Sequence, residues 1–333
     1  MGNKTFIIAE LSANHNHDIN IAKETIKAMA ESGADAVKIQ TYTPDSLVMD
    51  VDNEYFGPIP SGPWKGIKRY DLYKEGSMPY EWQPILKEYA ESLGVVFFST
   101  PFDLDGVDFL ESMNVPLYKI ASFEINDIPL IRKVARQHKP IIISTGVADL
   151  DDIELAIKTC HEEGCNDITL LKCTSEYPAP YEHINLMTIP DMAKRFNVKV
   201  GISDHTLGTV VSSAAVALGA TVVEKHFILS RSQGGPDAIF SMEPAEFKEM
   251  VDAIRIIEKS LGTISYELDE IKKGKRRALY ATRDIQIGEQ FTSTNIKSFR
   301  PSAGLSPKYY EELLSKKSKR YIKRGEPLQS CDL

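Results

Sequence analysis

Three things are scarce in this sequence, and each scarcity excludes a class. Cysteine occurs four times in 333 residues, at Cys160, Cys165, Cys173 and Cys331. No two of them form a C-x-x-C pair, so neither a disulfide framework nor a thiolate zinc site is indicated. No apolar run approaches the roughly 20 residues needed to cross a bilayer, and no secretory leader pattern precedes the first strand-like segment. A reducing cytoplasm is the expected compartment, and no membrane partner is expected. Basic residues are outnumbered, with 39 Lys and Arg against 47 Asp and Glu and a net charge of −8. Nucleic acid, which needs a basic surface, is not expected as a partner. A small anion is still compatible, because local lysines can outvote the global sign.

What is present is an alternation. Short β-branched runs occur at Thr5–Glu10, Ala36–Gln40, Val95–Thr100, Leu117–Ser122, Ile141–Thr145, Ile168–Cys173, Lys199–Ser203 and Ala220–His226. Between and after them lie segments with helical spacing: Ile21–Ser32, Glu81–Leu93, Asp105–Met113, Ile128–Gln137, Asp151–Glu163, Ile184–Phe196, Thr209–Leu218 and Pro244–Leu261. Acidic starts and glycine stops punctuate many of them. This rhythm predicts an α/β fold, a parallel (β/α)₈ TIM barrel. A doubly wound open sheet is the alternative. The barrel is favoured because every predicted strand ends in polar residues, which a barrel gathers at one mouth. The segment Thr41–Pro79 is long, aromatic and interrupted by Gly and Pro, as a lid or substrate wall would be. We divide the chain into residues 1–262, the barrel, a charged linker 263–277, and a small unit 278–333. In that unit Ile285-Gln286-Ile287-Gly288-Glu289 is echoed by Ile322-Lys323-Arg324-Gly325-Glu326, each reading as a strand and a turn.

His205 lies two residues past the seventh predicted strand, and His226 ends the eighth. A single histidine there is usually a core or rim residue. Two in equivalent positions of neighbouring strands point to one shared site, since neutral imidazole is a common ligand for divalent metals. Asp204 or Glu224 would orient an imidazole, though Glu224, two residues from His226, can also face the site itself. Lys38 and Lys119 lie inside apolar strand ends and need anionic partners. Ser99, Thr100, Ser122, Ser144, Thr145, Gly146 and Ser203 surround them as a candidate phosphate or carboxylate cradle. Glu10, Glu124 and Asp237 are acid–base candidates. Asn14, His15 and His17 fall in a loop at the mouth, where substrate contact is one reading.

The runs FIIAELSANH, VKIQTY, STPF, YKIASFE, ISTG, CTSEYPAP, GISDHT, EKHF and GGPDAIFSM, in this order from residue 6 to about 242, resemble the nonulosonic acid synthase family, the sialic acid synthases and their relatives. KSFRPSAGLSP, residues 297–307, resembles that family's antifreeze-like (SAF) C-terminal domain. AELSANH, KIASFE and the segment around Trp64–Tyr73 and Pro79–Trp82 are most similar to the family's pseudaminic acid branch. The resemblance implies condensation of phosphoenolpyruvate with an open-chain diacetamido-trideoxy-hexose and water, giving a nine-carbon keto acid and phosphate for bacterial glycans. Legionaminic or N-acetylneuraminic acid synthesis is the near alternative. A catalytically dead carbohydrate-binding barrel is the alternative of another class.

The resemblance also implies roles. His205 and His226 would hold a divalent metal, Mn²⁺ before Co²⁺ or Mg²⁺ given two nitrogen ligands. Lys38, Thr100, Lys119, Ser122, Ser144 and Ser203 would hold phosphoenolpyruvate. Ser175 joins them where the family's other version has asparagine. Glu10, Gln40, Tyr177 and Asp237 would face the sugar, and Glu124 would act as acid–base residue near the attacking water, with Glu10 and Lys119 also counted catalytic. Phe123, standing where a glycine occurs in relatives, would favour a deoxy sugar. Arg300 would reach the barrel of a second copy in a domain-swapped homodimer.

Overall fold

The computed structural model describes residues 4–333. Two compact units divide at Gly262 and Thr263. In the first, eight parallel strands close into a barrel in chain order. They are β1 Phe6–Glu10, β2 Ala36–Thr41, β3 Val96–Pro101, β4 Tyr118–Ile120, β5 Ile141–Ser144, β6 Ile168–Cys173, β7 Lys199–Ser203 and β8 Val222–His226. The strands are apolar on both faces because one face meets the barrel interior and the other the surrounding helices.

The interior follows a simple rule of alternation. Ile8, Ala36, Phe98, Ile142, Leu171 and Val222 form a buried apolar plug, with Leu117 packed against it. Gly201 completes that layer because there is no room for more: a Cβ there would lie 2.3 Å from the Val222 carbonyl oxygen and 2.7 Å from Leu171. Two residues further along each strand stand Glu10, Lys38, Thr100, Lys119, Ser144, Cys173, Ser203 and Glu224, all buried. By register Glu10 pairs with Lys38 on one side and with His226 on the other, and Ser203 pairs with Cys173 and Glu224. A dry plug thus supports a polar floor.

The principal helices are Ile19–Glu31, Trp82–Ser92, Leu104–Ser112, Ile128–Ala135, Leu150–Glu162, Thr188–Phe196, Val210–Ala217 and Pro244–Leu261. Asp18, Asp103, Asp127 and Asp149 cap the first, third, fourth and fifth through their carboxylates. The sixth begins four residues later than its apolar spacing suggests. Tyr181–His183 takes a separate 3₁₀ turn, and Pro190 falls in the first helical turn, where its missing N–H costs nothing. The insertion after β2 contains short helices Pro44–Leu47 and Arg69–Gly76. Between them Pro58 and Lys68 pair antiparallel, Ile59 N–H donates to the Ile67 carbonyl at 2.9 Å, and the Arg69 guanidinium donates to the Gly57 carbonyl at 2.8 Å.

In the second unit β9 Ala278–Ala281 pairs antiparallel with β10 Ile296–Phe299. Leu279, Ile285, Phe291, Ile296, Leu313, Ile322 and Leu328 are among its buried core residues. The sequence echo is a physical pairing. Ile285 and Ile322 exchange both backbone hydrogen bonds, at 2.8 and 3.0 Å. Each is followed by the same turn, with Gly288 at φ 80° and Gly325 at φ 81°, and with Glu289 and Glu326 accepting from the N–H three residues back. The expected strands are single bridges rather than ladders.

Candidate active site at the barrel mouth

The polar floor is an ion network. The Lys38 ammonium lies 2.6 Å from Glu10 Oε2 and 3.6 Å from Glu224 Oε1. Lys119 reaches the same Glu224 oxygen at 3.4 Å, as does the Ser203 hydroxyl, which donates to it. Lys38 also donates to Thr100 Oγ1 at 3.3 Å. The anionic partners that the two buried lysines need are carboxylates of the protein itself. Burial pushes the Glu10 carboxyl up to about 7, against the pull of Lys38. Burial also acts on Glu224, but Lys119 and Lys38 beside it hold its carboxyl below the usual value. Burial also lowers the Lys119 ammonium, with Glu224 beside it pulling the other way.

Beside this network a cradle opens around Gly146, whose N–H donates to Ser122 Oγ at 3.0 Å. A Cβ at Gly146 would lie 2.2 Å from Ser175 Oγ, 2.8 Å from Ser122 Oγ and 3.0 Å from Cys173 Sγ. Glycine is what lets these groups converge. Ser144 Oγ and Glu224 Oε2 are buried here without a hydrogen-bond partner. Both are free to accept a hydrogen bond, and the serine hydroxyl to donate one.

His205 and His226 face each other, ring centroids 5.3 Å apart. His205 Nδ1 lies 3.0 Å from the Thr174 carbonyl, which can only accept, so this nitrogen carries the proton and Nε2 is free to ligate. His226 Nδ1 is buried without a hydrogen bond, 3.8 Å from Asp237 Oδ2. Burial, then His205 and Lys38, hold the His226 imidazole well below its usual range and neutral. Among the described residues no cluster of three or more His, Cys, Asp or Glu forms a metal cage. Two neighbouring imidazoles, one with Nε2 free, would suit a divalent cation that takes its remaining ligands from elsewhere.

Above lies a cleft of about 330 Å³. Gln40, Phe123, Glu124, Ser175, Tyr177, His226 and Asp237 line it, together with Ser12 and the insertion's Leu47, Ile59, Trp64, Leu72 and Tyr73. Gln40 donates to Ser12 Oγ at 3.0 Å, and Ser12 donates to Asp237 Oδ2 at 2.5 Å. Ser12 holds φ 49°, a left-handed conformation costly for serine that aims its hydroxyl into the cleft. Burial raises the Glu124 carboxyl to about 7, and its Oε2 is unpartnered. Tyr177 stacks on His205, centroids 4.3 Å apart.

Several expectations are corrected. Asp204 orients neither imidazole: its carboxylate takes Lys225 at 2.9 Å and the hydroxyls of Thr206 and Ser212. Adjacent strand residues face opposite ways, and Asp204 points away from the mouth that His205 enters. Ser99 likewise turns outward to the Ile39 carbonyl, and Thr145 is spent on the Leu171 carbonyl. Asn14 holds the Phe227 carbonyl and Ser241, and His15 lies between the His17 N–H and the Gly76 carbonyl. These loop residues brace the mouth instead of lining it. Arg300 belongs to the second unit and is exposed there. Sequence reasoning missed Ser12, whose special backbone angle leaves no compositional trace, and the individual wall residues of the insertion.

The NeuB family profile matches residues 25–266, and the SAF domain profile matches residues 276–333. Pseudaminic acid synthase of Campylobacter jejuni is 47% identical over 332 residues, covering 99% of this chain and 96% of that one. The N,N'-diacetyllegionaminic acid synthase of the same organism is 38% identical, covering 97% and 98%. Among solved structures, N-acetylneuraminic acid synthetase from Leptospira borgpetersenii superposes with a TM-score of 0.73 at 30% identity, covering 81% of this chain and 90% of that one.

Proposed function

The chain belongs to the NeuB family and carries a SAF domain, and from that premise we propose that it is a pseudaminic acid synthase. It condenses phosphoenolpyruvate with 2,4-diacetamido-2,4,6-trideoxy-L-altrose and water, releasing pseudaminic acid and phosphate. The observation that carries this reading is the junction of an anion floor and a histidine pair beneath one cleft. The higher identity to a pseudaminic than to a legionaminic acid synthase supports the choice of sugar.

In this reading Lys38 and Lys119 hold the carboxylate and phosphate of phosphoenolpyruvate. Thr100, Ser122, Ser144, Ser175 and Ser203 add hydroxyls, and Gly146 keeps Ser122 and Ser175 close together. Gln40, Tyr177, Asp237 and Glu10 position the open-chain sugar so that its aldehyde carbon meets the enol methylene. His205 and His226 would hold a divalent cation, Mn²⁺ by preference, which when bound supplies Lewis-acid polarisation of the aldehyde. Carbon–carbon bond formation turns the aldehyde oxygen into an alkoxide, which takes up a proton from solvent, and leaves positive charge at C2 of the former enol, which the held carboxylate stabilises. Glu124 takes a proton from the water that adds to C2, and the tetrahedral adduct collapses with cleavage of the C–O bond to phosphate. Arg300 reaches the cleft from a second copy and binds an acetamido oxygen.

The test is a product mass spectrum and phosphate release from purified protein, phosphoenolpyruvate and the diacetamido aldose, with Mn²⁺ and after chelation. A nine-carbon keto acid in a metal-dependent reaction is expected. Release with N-acetylmannosamine but not the diacetamido sugar would overturn the assignment.

A further inference from the structure

We propose that the insertion between β2 and β3 is the sugar-selecting element. Leu47, Ile59, Trp64 and Leu72 form an apolar wall against which the deoxygenated, methyl-bearing end of the aldose packs. The inference rests on the synthase reading above and adds to it the means of choosing among aldoses.

The cleft is chemically lopsided. Its floor and the barrel-loop side offer Gln40, Ser12, Asp237, Glu124 and Ser175, a dense set of hydrogen-bonding partners. The insertion side offers aliphatic carbon and an indole, with the Tyr42 and Tyr73 hydroxyls as its lining side-chain polar groups apart from the Trp64 N–H. That N–H is already committed, donating to the Pro236 carbonyl at 2.9 Å. An ordinary hexose carries hydroxyls all round and would strand some of them against this wall, at the cost of unpaired hydrogen bonds. A trideoxy sugar with two acetamido groups presents methyl groups instead. Phe123, on the rim, adds a further apolar ring to the lining.

The wall is also braced. Its middle is the small antiparallel turn around Ile59 and Ile67, held by the Gly57 carbonyl that accepts from Arg69. Trp64 then ties it to the barrel. The residue after its acceptor Pro236 is Asp237, and the Trp64 ring lies 5.7 Å from that of Tyr177. One side chain thus fixes the wall against both the Asp237 turn and the aromatic ring that stacks on His205.

The test compares kcat/KM for phosphate release with 2,4-diacetamido-2,4,6-trideoxy-L-altrose and with N-acetylmannosamine, using the full chain and Mn²⁺. A hydrophobic pocket discriminates against an added hydroxyl by about 10²-fold, and the two sugars differ also at C4 and in configuration, so wild type is expected to prefer the deoxy sugar by at least that factor. Ile59→Ser and Leu47→Ser each give the hydroxymethyl a partner and are expected to cut the preference about tenfold, with KM for phosphoenolpyruvate unchanged. Trp64→Phe keeps the ring but drops the hydrogen bond, and is expected to raise KM for the deoxy sugar. A preference that stays constant in both serine variants, with melting temperature and phosphoenolpyruvate KM intact, overturns the wall. Wild type that turns over neither sugar overturns the synthase reading itself.

Discussion

In the proposed mechanism Glu124 is the residue whose protonation state sets the pH at which the site works. Its carboxyl sits at about 7 because burial raises it, Lys119 offsetting only part, and one oxygen has no partner. As a base it must be ionised, so kcat/KM is expected to fall as pH drops through about 7 and to level off above. Glu124→Gln is expected to remove that limb and to lower the rate by about 10²–10⁴, which phosphate release from pH 5.5 to 9 measures. A variant that keeps the same limb would assign it to Glu10 instead. Gly146 makes the complementary test of the cradle. Its absent Cβ is the space in which Ser122 and Ser175 converge. Gly146→Ala is expected to raise KM for phosphoenolpyruvate at least about tenfold, the worth of one good hydrogen bond to an anion, while Mn²⁺ binding followed by electron paramagnetic resonance stays as it was. Gly146 was legible as part of an anion cradle, but sequence does not show which side chains need its missing carbon.

Between residues and the whole lie the strands, and here the sequence was most readable. Buried parallel strands are continuous β-branched runs, so the eight barrel strands stand within two residues of their expected ends. What was less readable is the face each end residue takes. Alternation places Glu224 with His226 at the mouth, but the same rule sends Asp204 and Lys225 outward, where they form an ion pair at 2.9 Å with both side chains fully buried. Lys225 also donates to the Thr206 carbonyl at 2.6 Å. The pair bridges the strands that carry His205 and His226. Asp204→Asn strands a buried ammonium and is expected to cost about 3–5 kcal/mol in urea unfolding. Asp204→Leu combined with Lys225→Met removes both charges and is expected to recover most of that loss. If the double variant is no more stable than the single, the cost lies in the Ser212 and Thr206 hydrogen bonds and not in the ion pair.

At the scale of the whole chain, repetition was legible and long-range contact was not. The I-x-x-G-E echo announced the paired turns of the second unit, because a shared turn demands the same glycine and glutamate twice. Nothing local announced that Trp64 would meet Pro236, which lies 172 positions away. Arg300 poses the same problem across copies of the chain. The proposed homodimer gives it a site in the partner's barrel, and this has a binary consequence. Combine Arg300→Ala on one chain with Glu124→Gln on the other and purify the mixed dimer through two tags. If each arm serves the opposite barrel, one site pairs an intact Glu124 with an intact Arg300, and the other collects both defects. The mixed dimer is then expected to run at about half the wild-type rate, far above either parent. If Arg300 serves its own barrel, every site in the mixed dimer keeps one defect and the rate stays at the mean of the parents. Arg300→Ala with full activity alone would remove the arginine from the site altogether, and the SAF unit would then need another reason to accompany this barrel.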